Sequence, residues 1–308
     1  MAHDHPPPSS DATAGDRRVL WAVAANLGLT VVQIGAGVLS GSLAMIADAI
    51  HNLSDAMALV IALAARRIAR RPADADMTFG YGRAEVVGAF VNLTVLVVLA
   101  LYLAWEGAMR LVDPPEVTGW IVVVVAGVAL AVDAVTAALV FAMSRDSVNI
   151  RAAFLHNVMD ALGSVAVMAS GALILLYDWW WIDPAVTLAI AAYILWHAGR
   201  ALWPVTRILM LAGPARPSAE EALAAMEAVA GVAEVHSLQL WMMGEHDSSL
   251  EAHVLLEDAA NPVAVKAALK GVIGGLGITR SVLELETEAE RCTTAPRIGP
   301  QAATHGHA

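Results

Sequence analysis

The amino-acid sequence predicts an α-helical membrane protein in which six transmembrane helices precede a small cytoplasmic α+β domain. Three observations support this fold class. First, 58% of the 308 residues are hydrophobic and only 15% are charged, whereas soluble proteins usually contain roughly 25% charged residues. Second, six apolar stretches are each long enough to cross a bilayer. Third, the chain becomes more polar near Pro214, and short helical and strand patterns alternate beyond it.

The six apolar stretches each supply the roughly 20 helical residues that cross about 30 Å of hydrocarbon. Helices are expected because an open sheet would leave backbone groups without hydrogen bonds in lipid. Short loops join the stretches, which indicates antiparallel neighbours. The predicted spans are residues 19–39, 42–66, 84–111, 120–143, 152–177 and 182–206.

The positions of the arginines predict the orientation of these spans. Basic residues cluster at one side of the bundle, and the loops of the other side are nearly free of them apart from Arg110. By the positive-inside rule, both termini are therefore expected in the cytoplasm. The arginines on the predicted cytoplasmic side are Arg17, Arg18, Arg66, Arg67, Arg70, Arg71, Arg145, Arg151, Arg200 and Arg207.

The region after the spans predicts a two-layer α+β domain with the element order α-β-β-α-β. Ser218 is the expected N-cap of its first helix, and Glu221 completes a capping box. The predicted elements are a helix at 218–229, strands at 235–243 and 250–256 joined by a hairpin at 245–248, a helix at 262–273 and a strand at 278–285. The expected division is a disordered N-terminal tail 1–16, a transmembrane domain 17–210, a cytoplasmic domain 214–292 and a disordered tail 293–308.

Charge and cysteine content exclude several classes of function. The formal net charge is −11, which argues against nucleic acid as a partner. The single cysteine, Cys292, excludes an internal disulfide and a thiolate-rich metal cluster. The sequence lacks His-Glu-x-x-His, so an intramembrane zinc hydrolase is a remote alternative and no enzymatic activity is expected.

Polar residues within two of the predicted spans are the strongest functional signal. The second span contains Asp48, His51 and Asp55, and the fifth contains His156 and Asp160. The pattern His-Asn-x-x-Asp-Ala occurs in both spans. Spacings of three, four or seven residues place these side chains on one face of each helix. Since charged groups in a membrane cost several kcal/mol, each is a functional candidate.

Two helices that each offer one imidazole and one carboxylate can form a four-ligand metal site. Zn²⁺ favours such tetrahedral nitrogen and oxygen ligands, and Co²⁺, Cd²⁺, Fe²⁺ and Mn²⁺ are alternatives. Interhelical His–Asp hydrogen bonds are the competing interpretation. Asp48 is expected beside the ligands or as an accessory ligand. Asp133, in the fourth span, has either a structural role, a proton-relay role or a place in the ion path.

Several motifs resemble those of the cation diffusion facilitator family. The second-span signature is Ser-Leu-Ala-Met-Ile-Ala-Asp-Ala-Ile-His-Asn-Leu-Ser-Asp at residues 42–55, and Phe-Gly-Tyr-Gly-Arg-Ala-Glu at 79–85 opens the third span. Residues 156–165 of the fifth span, and the strands at 235–241 and 251–254, are also similar to the family. The resemblance extends from residue 17 to residue 292.

The resemblance implies a six-span homodimeric exporter with a ferredoxin-like, metallochaperone-like cytoplasmic domain. Family members move divalent metal, usually zinc, out of the cytoplasm in exchange for protons. The resemblance assigns the transport site to His51, Asp55, His156 and Asp160. A bacterial inner membrane is the expected location. A membrane-anchored metal sensor is a distant alternative.

The cytoplasmic domain departs from the family pattern. His236 and His253 are present, but Ser237 and Gln239 stand where the family often has Asp and His. Thr279 and Arg280 stand where another His is common. The resemblance therefore implies either a weak cytoplasmic metal site, completed by Glu284 or Glu286, or a domain that serves mainly for dimerisation and regulation. Asp74 and Asp76 lie where some family members bind metal between spans two and three, but here they are expected in a solvated loop.

Overall fold

The computed structural model describes residues 27–143, 148–245, 247–292 and 295–300, without the side chains of residues 139–143, 148–153 and 156. The chain divides into two compact units. The first comprises the described parts of Met1–Leu63 and Val91–Leu202, and the second those of Ala64–Phe90 and Trp203–Ala308. Three long helices therefore contribute residues to both units.

Long apolar helices form the first unit, as the sequence predicts. Five of them have the length and hydropathy to cross a membrane, and the described part of the first is a shorter apolar helix. The chain is thus an integral multi-pass membrane protein. The part of the first predicted span before residue 27 lies outside the described residues. The helices are α1 (Leu27–Ser40), α2 (Leu43–Ala69), α3 (Ala84–Val112), α4 (Gly119–Met143), α5 (Val148–Tyr177) and α6 (Ile182–Leu209).

Helices α4 and α5 approach each other closely because glycines face each other at the contact. A Cβ atom added to Gly119 would lie 2.7 Å from the carbonyl oxygen of Gly171, and one added to Gly171 would lie 2.7 Å from Val122. Small residues allow this backbone-to-backbone packing, which is common between membrane helices. The contact continues into a buried apolar cluster that includes Met45 of α2 and Val167 of α5. This packing fixes α5 against the helix bundle.

The second unit contains the predicted α+β domain. Its sheet has the order β1-β2-β3, with β1 antiparallel and β3 parallel to β2. The helices cover one face through a core that includes Met226, Leu269 and Ile273. Ser218 and Glu221 form the predicted capping box. The elements are α7 (Ala219–Glu227), β1 (Val232–Met242), β2 (Ser248–Leu256), α8 (Pro262–Gly275) and β3 (Arg280–Glu286). The fold class is therefore confirmed.

Strand β1 contains a bulge that the alternating sequence pattern does not reveal. Between His236 and Gln239 its pairing with β2 shifts, and Ser237 has a positive φ of 50°. Residues 295–300 bond to this bulge, since the Ser237 N–H donates to Pro296 at 2.7 Å and the Leu238 N–H donates to Arg297 at 3.1 Å. Backbone groups left free by the bulge thus bind residues 295–300, which lie within the predicted tail.

Candidate metal centre

Helices α2 and α5 bring three of the predicted ligands together. His51 and Asp55 lie one turn apart on α2, and Asp160 lies on α5. The Nε2 atom of His51 is 3.4 Å from Asp160 Oδ1 and 3.8 Å from Asp55 Oδ2. One ligand atom from each residue lies within 4.8 Å of the others. The site therefore joins residues of two helices that are at least 105 positions apart in the sequence.

The distance between His51 and Asp160 suits shared coordination of one ion. Two ligands at about 2.1 Å from a tetrahedral metal are roughly 3.4 Å apart, which equals the separation of His51 Nε2 and Asp160 Oδ1. A charge-assisted hydrogen bond would be shorter, at about 2.7–2.9 Å. The side chains of His51 and Asp160 are 12% and 11% exposed, whereas that of Asp55 is 36% exposed. The donor set is thus mostly buried, with Asp55 as its more accessible member.

His156 lies on α5 one turn before Asp160, but its side chain lies outside the described residues. The helical spacing places it on the same face of α5 as Asp160. It therefore stays a predicted fourth ligand.

Asp48 and Asp133 are held by side chains of neighbouring helices. Gln33 of α1 donates to Asp48 Oδ2 at 2.9 Å. A Cβ atom added to Gly163 of α5 would lie 2.9 Å from Asp48 Oδ1, so the glycine leaves the space that this carboxylate occupies. Ser164, the next residue of α5, donates to Asp133 Oδ2 at 3.0 Å. Both carboxylates therefore lie against α5, at Gly163 and Ser164, which follow Asp160 by three and four residues.

The start of α2 is fixed by Asp183, a residue that the sequence analysis did not identify. Asp183 of α6 accepts hydrogen bonds from the Leu43 N–H at 2.8 Å and the Ala44 N–H at 3.3 Å. It also accepts one from the Ser42 hydroxyl at 2.6 Å, and the Ser42 Oγ accepts from the Met45 N–H. A carboxylate at a helix N-terminus satisfies free N–H groups and complements the helix dipole. The available signal was an acidic residue in the first turn of an apolar helix.

An aromatic ring of α6 adjoins the same centre. The rings of His51 and Tyr193 meet edge to face with centroids 6.0 Å apart, and Tyr193 stacks on His197 at 6.1 Å. Tyr193 carries no charge that would mark it in the sequence. It joins α6 to the imidazole of His51.

A second cluster of possible ligands lies on the sheet of the α+β domain. His236 and His253 are cross-strand partners on β1 and β2, and Glu286 lies on β3. Glu286 Oε1 is 2.6 Å from His253 Nδ1, and its Oε2 is 3.1 Å from His236 Nε2. Glu284 Oε2 lies 3.4 Å from His253 Nε2, and the Glu284 side chain is 67% exposed. The structure thus assembles all four residues, with Glu286 between the two imidazoles.

The chemistry of this cluster fits a metal ion, because two imidazoles and a carboxylate are common zinc ligands. The buried Nε2 of His236 has no hydrogen bond of good geometry among the described residues, despite its closeness to Glu286. The short contact of His253 Nδ1 with Glu286 is, in contrast, a hydrogen-bond distance. The cluster is therefore compatible with metal and is also held together without it.

Asp74 organises the loop between α2 and α3. Its Oδ1 accepts the N–H groups of Asp76 and Met77 at 3.0 and 2.8 Å, and its Oδ2 accepts the Tyr81 hydroxyl at 2.7 Å. These hydrogen bonds hold the pKa of Asp74 below its usual value, and the bond from Tyr81 has the largest effect. The Tyr81 pKa is raised by the same bond. Asp74 thus acts as the acceptor that closes the loop, and the loop is exposed as expected.

Together, the fold and the centre define a multi-span membrane protein with imidazole and carboxylate side chains inside its helix bundle. The profile of the cation efflux transmembrane domain matches residues 19–210. The chain therefore belongs to this family, the cation diffusion facilitators, which confirms the resemblance found in the sequence.

Several characterised proteins are similar to the chain over most of its length. The metal cation efflux system protein CzcD of Cupriavidus metallidurans is 34% identical over 264 residues, which cover 85% of this chain and 81% of that protein. The zinc transporter ZitB of Pectobacterium atrosepticum is 35% identical over 247 residues, 80% of this chain and 76% of its own. The cadmium, cobalt and zinc/H(+)-K(+) antiporter of Bacillus subtilis is 28% identical and covers 100% of both chains.

Proposed function

We propose that the protein exports a divalent metal cation, Zn²⁺ first, from the cytoplasm in exchange for protons. The proposed transport site consists of His51, Asp55, His156 and Asp160. The observation that carries this proposal is the convergence of His51, Asp55 and Asp160, from two separate membrane helices, to ligand distances within 4.8 Å. Structural hydrogen bonds alone do not require an imidazole and two carboxylates in one place within the membrane.

The choice of zinc follows from the ligand set. Imidazole nitrogen and carboxylate oxygen suit Zn²⁺, whereas oxygen-rich sites suit Mn²⁺. Similar proteins carry names that include zinc, and one name also includes cadmium and cobalt. Co²⁺, Cd²⁺, Fe²⁺ and Mn²⁺ are the alternative substrates.

Proton exchange follows from the chemistry of the ligands. Metal binding requires neutral imidazole and ionised carboxylate, so loading of the site releases protons and protonation releases metal. Metal and protons would then compete for the same atoms. Export results if the site faces the two sides of the membrane in turn.

The orientation, assembly and domain boundaries belong to the same proposal. Arg66 and Arg67 lie in the last turn of α2 and Arg207 in the last turn of α6, which supports cytoplasmic termini by the positive-inside rule. We place the protein in a bacterial inner membrane as a homodimer, with the bundle at 17–210 and the cytoplasmic domain at 214–292. The His236, His253 and Glu286 cluster is assigned to that domain as a weak metal site, with Glu284 at its edge.

The proposal is tested by zinc flux in proteoliposomes, with a zinc-sensitive dye inside and a pH-sensitive dye recording proton movement. The Asp160→Asn variant should lower the zinc flux at least about tenfold, since loss of metal-site residues typically costs that much or more. Asp113→Asn, which changes an exposed loop carboxylate, is the matched control. Equal flux for Asp160→Asn and wild type contradicts the site assignment.

The same preparation separates transport from sensing. A sensor would bind zinc without flux in any variant, and a zinc uniporter would move zinc without a proton signal. Either result contradicts antiport while leaving metal binding intact.

A further inference from the structure

The unit that contains the α+β domain has a cavity unrelated to the metal centres. Its volume is about 560 Å³, within the range of small-molecule sites. Its walls are largely apolar and include Ile68, Phe79, Val87, Leu211 and Trp241. The cavity is therefore large and apolar enough to hold hydrocarbon.

Arg83 supplies a cation to this apolar cavity. Its Nη2 atom is 3.5 Å from the carbonyl oxygen of Met242, a weak contact. Its buried Nε has no hydrogen-bond partner among the described residues. A buried guanidinium donor without an acceptor is costly, and an anionic oxygen is its best partner. Asp76 also lines the cavity, and its backbone N–H is bonded to Asp74.

Two further arginines lie over aromatic walls of the cavity. The Arg280 guanidinium is 4.9 Å from the centroid of the Phe79 ring, and that of Arg71 is 6.0 Å from Tyr81. Both rings line the cavity. Phe79 is 63% exposed, so most of its apolar surface is available for contact with a bound molecule. The cavity thus combines an apolar interior with one arginine and one aspartate on its walls and with two further arginines over its aromatic rings.

The cavity is built from the ends of membrane-spanning helices. Ile68 belongs to the last turn of α2, Ala84 and Val87 to the first turn of α3, and Leu211 follows α6. Helix ends of this kind lie at the level of lipid headgroups, where basic pockets bind acidic lipids. Free phosphate would not need the apolar walls, and a zwitterionic lipid would gain less from the arginines.

We propose that this cavity binds an anionic phospholipid, with an acyl chain against its apolar walls and the phosphate at Arg83. The proposal rests on the membrane location of the chain and not on the proposed transport. It is tested on the purified full-length protein by native mass spectrometry, which counts bound lipid. Phosphatidylglycerol and phosphatidylcholine of equal chain length are the probes, and no metal is added.

Wild-type protein should retain phosphatidylglycerol over phosphatidylcholine by about five- to tenfold, as expected for one well-placed arginine. Arg83→Gln should abolish most of this preference, whereas Arg83→Lys should keep part of it. Ala84→Trp, which fills the cavity, should lower binding of both lipids. Arg200→Gln is the matched control, since Arg200 also lies over an aromatic ring, 5.3 Å from Trp196, but does not line the cavity.

Three results would overturn the proposal. The first is equal retention of phosphatidylglycerol and phosphatidylcholine by the wild type, a result that does not depend on the folding of any variant. The second is displacement of phosphatidylglycerol by inorganic phosphate, which would assign the site to a free anion. The third is a change in oligomeric state with Arg83→Gln at unchanged lipid preference, which would show that a second copy covers the cavity.

Discussion

Replacement of Asp183 by alanine tests how the α2 helix is held in place. The carboxylate is 1% exposed and accepts hydrogen bonds from two N–H groups of α2 and from the Ser42 hydroxyl. Loss of an N-cap costs about 0.5–2 kcal/mol, and each buried donor left without an acceptor costs about 1–3 kcal/mol. The Ser42 hydroxyl can rotate, and its oxygen still caps Met45. The cap cost and the donor cost describe the same two N–H groups, so the two donors set the estimate. We therefore expect Asp183→Ala to lower the free energy of unfolding by about 2–6 kcal/mol.

The assay is equilibrium unfolding in mixed micelles with a rising fraction of sodium dodecyl sulfate, followed by tryptophan fluorescence. Asp183→Asn keeps one carbonyl acceptor and should lose about half as much stability as the alanine variant. Asp113→Ala, in an exposed loop, should change stability by less than about 0.5 kcal/mol. If Asp183→Ala unfolds at the same detergent fraction as the wild type, the cap does not stabilise α2 and the reasoning is refuted.

Two further predictions concern the loop and the sheet. Tyr81→Phe removes the first cause of the lowered Asp74 pKa, so that pKa should rise toward 3.8 in a carboxyl carbon NMR titration. A pKa that is lower in the folded protein stabilises the fold when the pH is above the pKa of the unfolded chain, and this stabilisation is lost as the pH falls through the folded-state pKa. The Tyr81→Phe variant should therefore be less stable than the wild type at neutral pH and equally stable in strong acid. An unchanged Asp74 pKa in the variant would contradict this prediction. Glu286→Gln should lower the zinc bound per chain, measured by elemental analysis after equilibrium dialysis against a fixed free zinc concentration, while Glu284→Gln should lower it less because Glu284 is exposed. Equal zinc contents in the two variants would argue against a metal site between the histidines.

The features that could be predicted from sequence are those that local chemistry determines. Helix length in a membrane follows from bilayer thickness, and α2, α3 and α6 begin within one residue of their predicted starts at 42, 84 and 182. The capping box of α7 needs two residues three positions apart, and it is present. Likewise, a pair of polar residues one turn apart shares a helix face whatever the bundle does. Such features can be predicted because they depend on residues that are close together in the sequence.

The features that could not be predicted depend on contacts between distant residues. Asp183 caps a helix 140 residues away, and the sequence around it shows only an acidic residue at the start of an apolar span. The hydrogen bond from the Gln33 amide to Asp48 joins two helices. A hydropathy pattern does not single out Gln33, because its side chain is uncharged. The bulge in β1 binds the segment at 295–300, and neither of the two stretches indicates this pairing in its own sequence. In each case, burial of the polar group is what demands the partner.

One face of α5 organises the charges around the candidate metal centre. Asp160, Gly163 and Ser164 are spaced three and four residues apart, so they share this face. Asp160 contributes its own carboxylate, Gly163 leaves space for that of Asp48, and Ser164 donates to that of Asp133. The carboxylates of Asp48, Asp133 and Asp160 come from three helices and lie along this face, and in their ionised forms they repel one another where water is scarce. A cation bound by His51, Asp55 and Asp160 would offset much of this repulsion, so the arrangement favours occupancy of the site by positive charge, whether metal or protons.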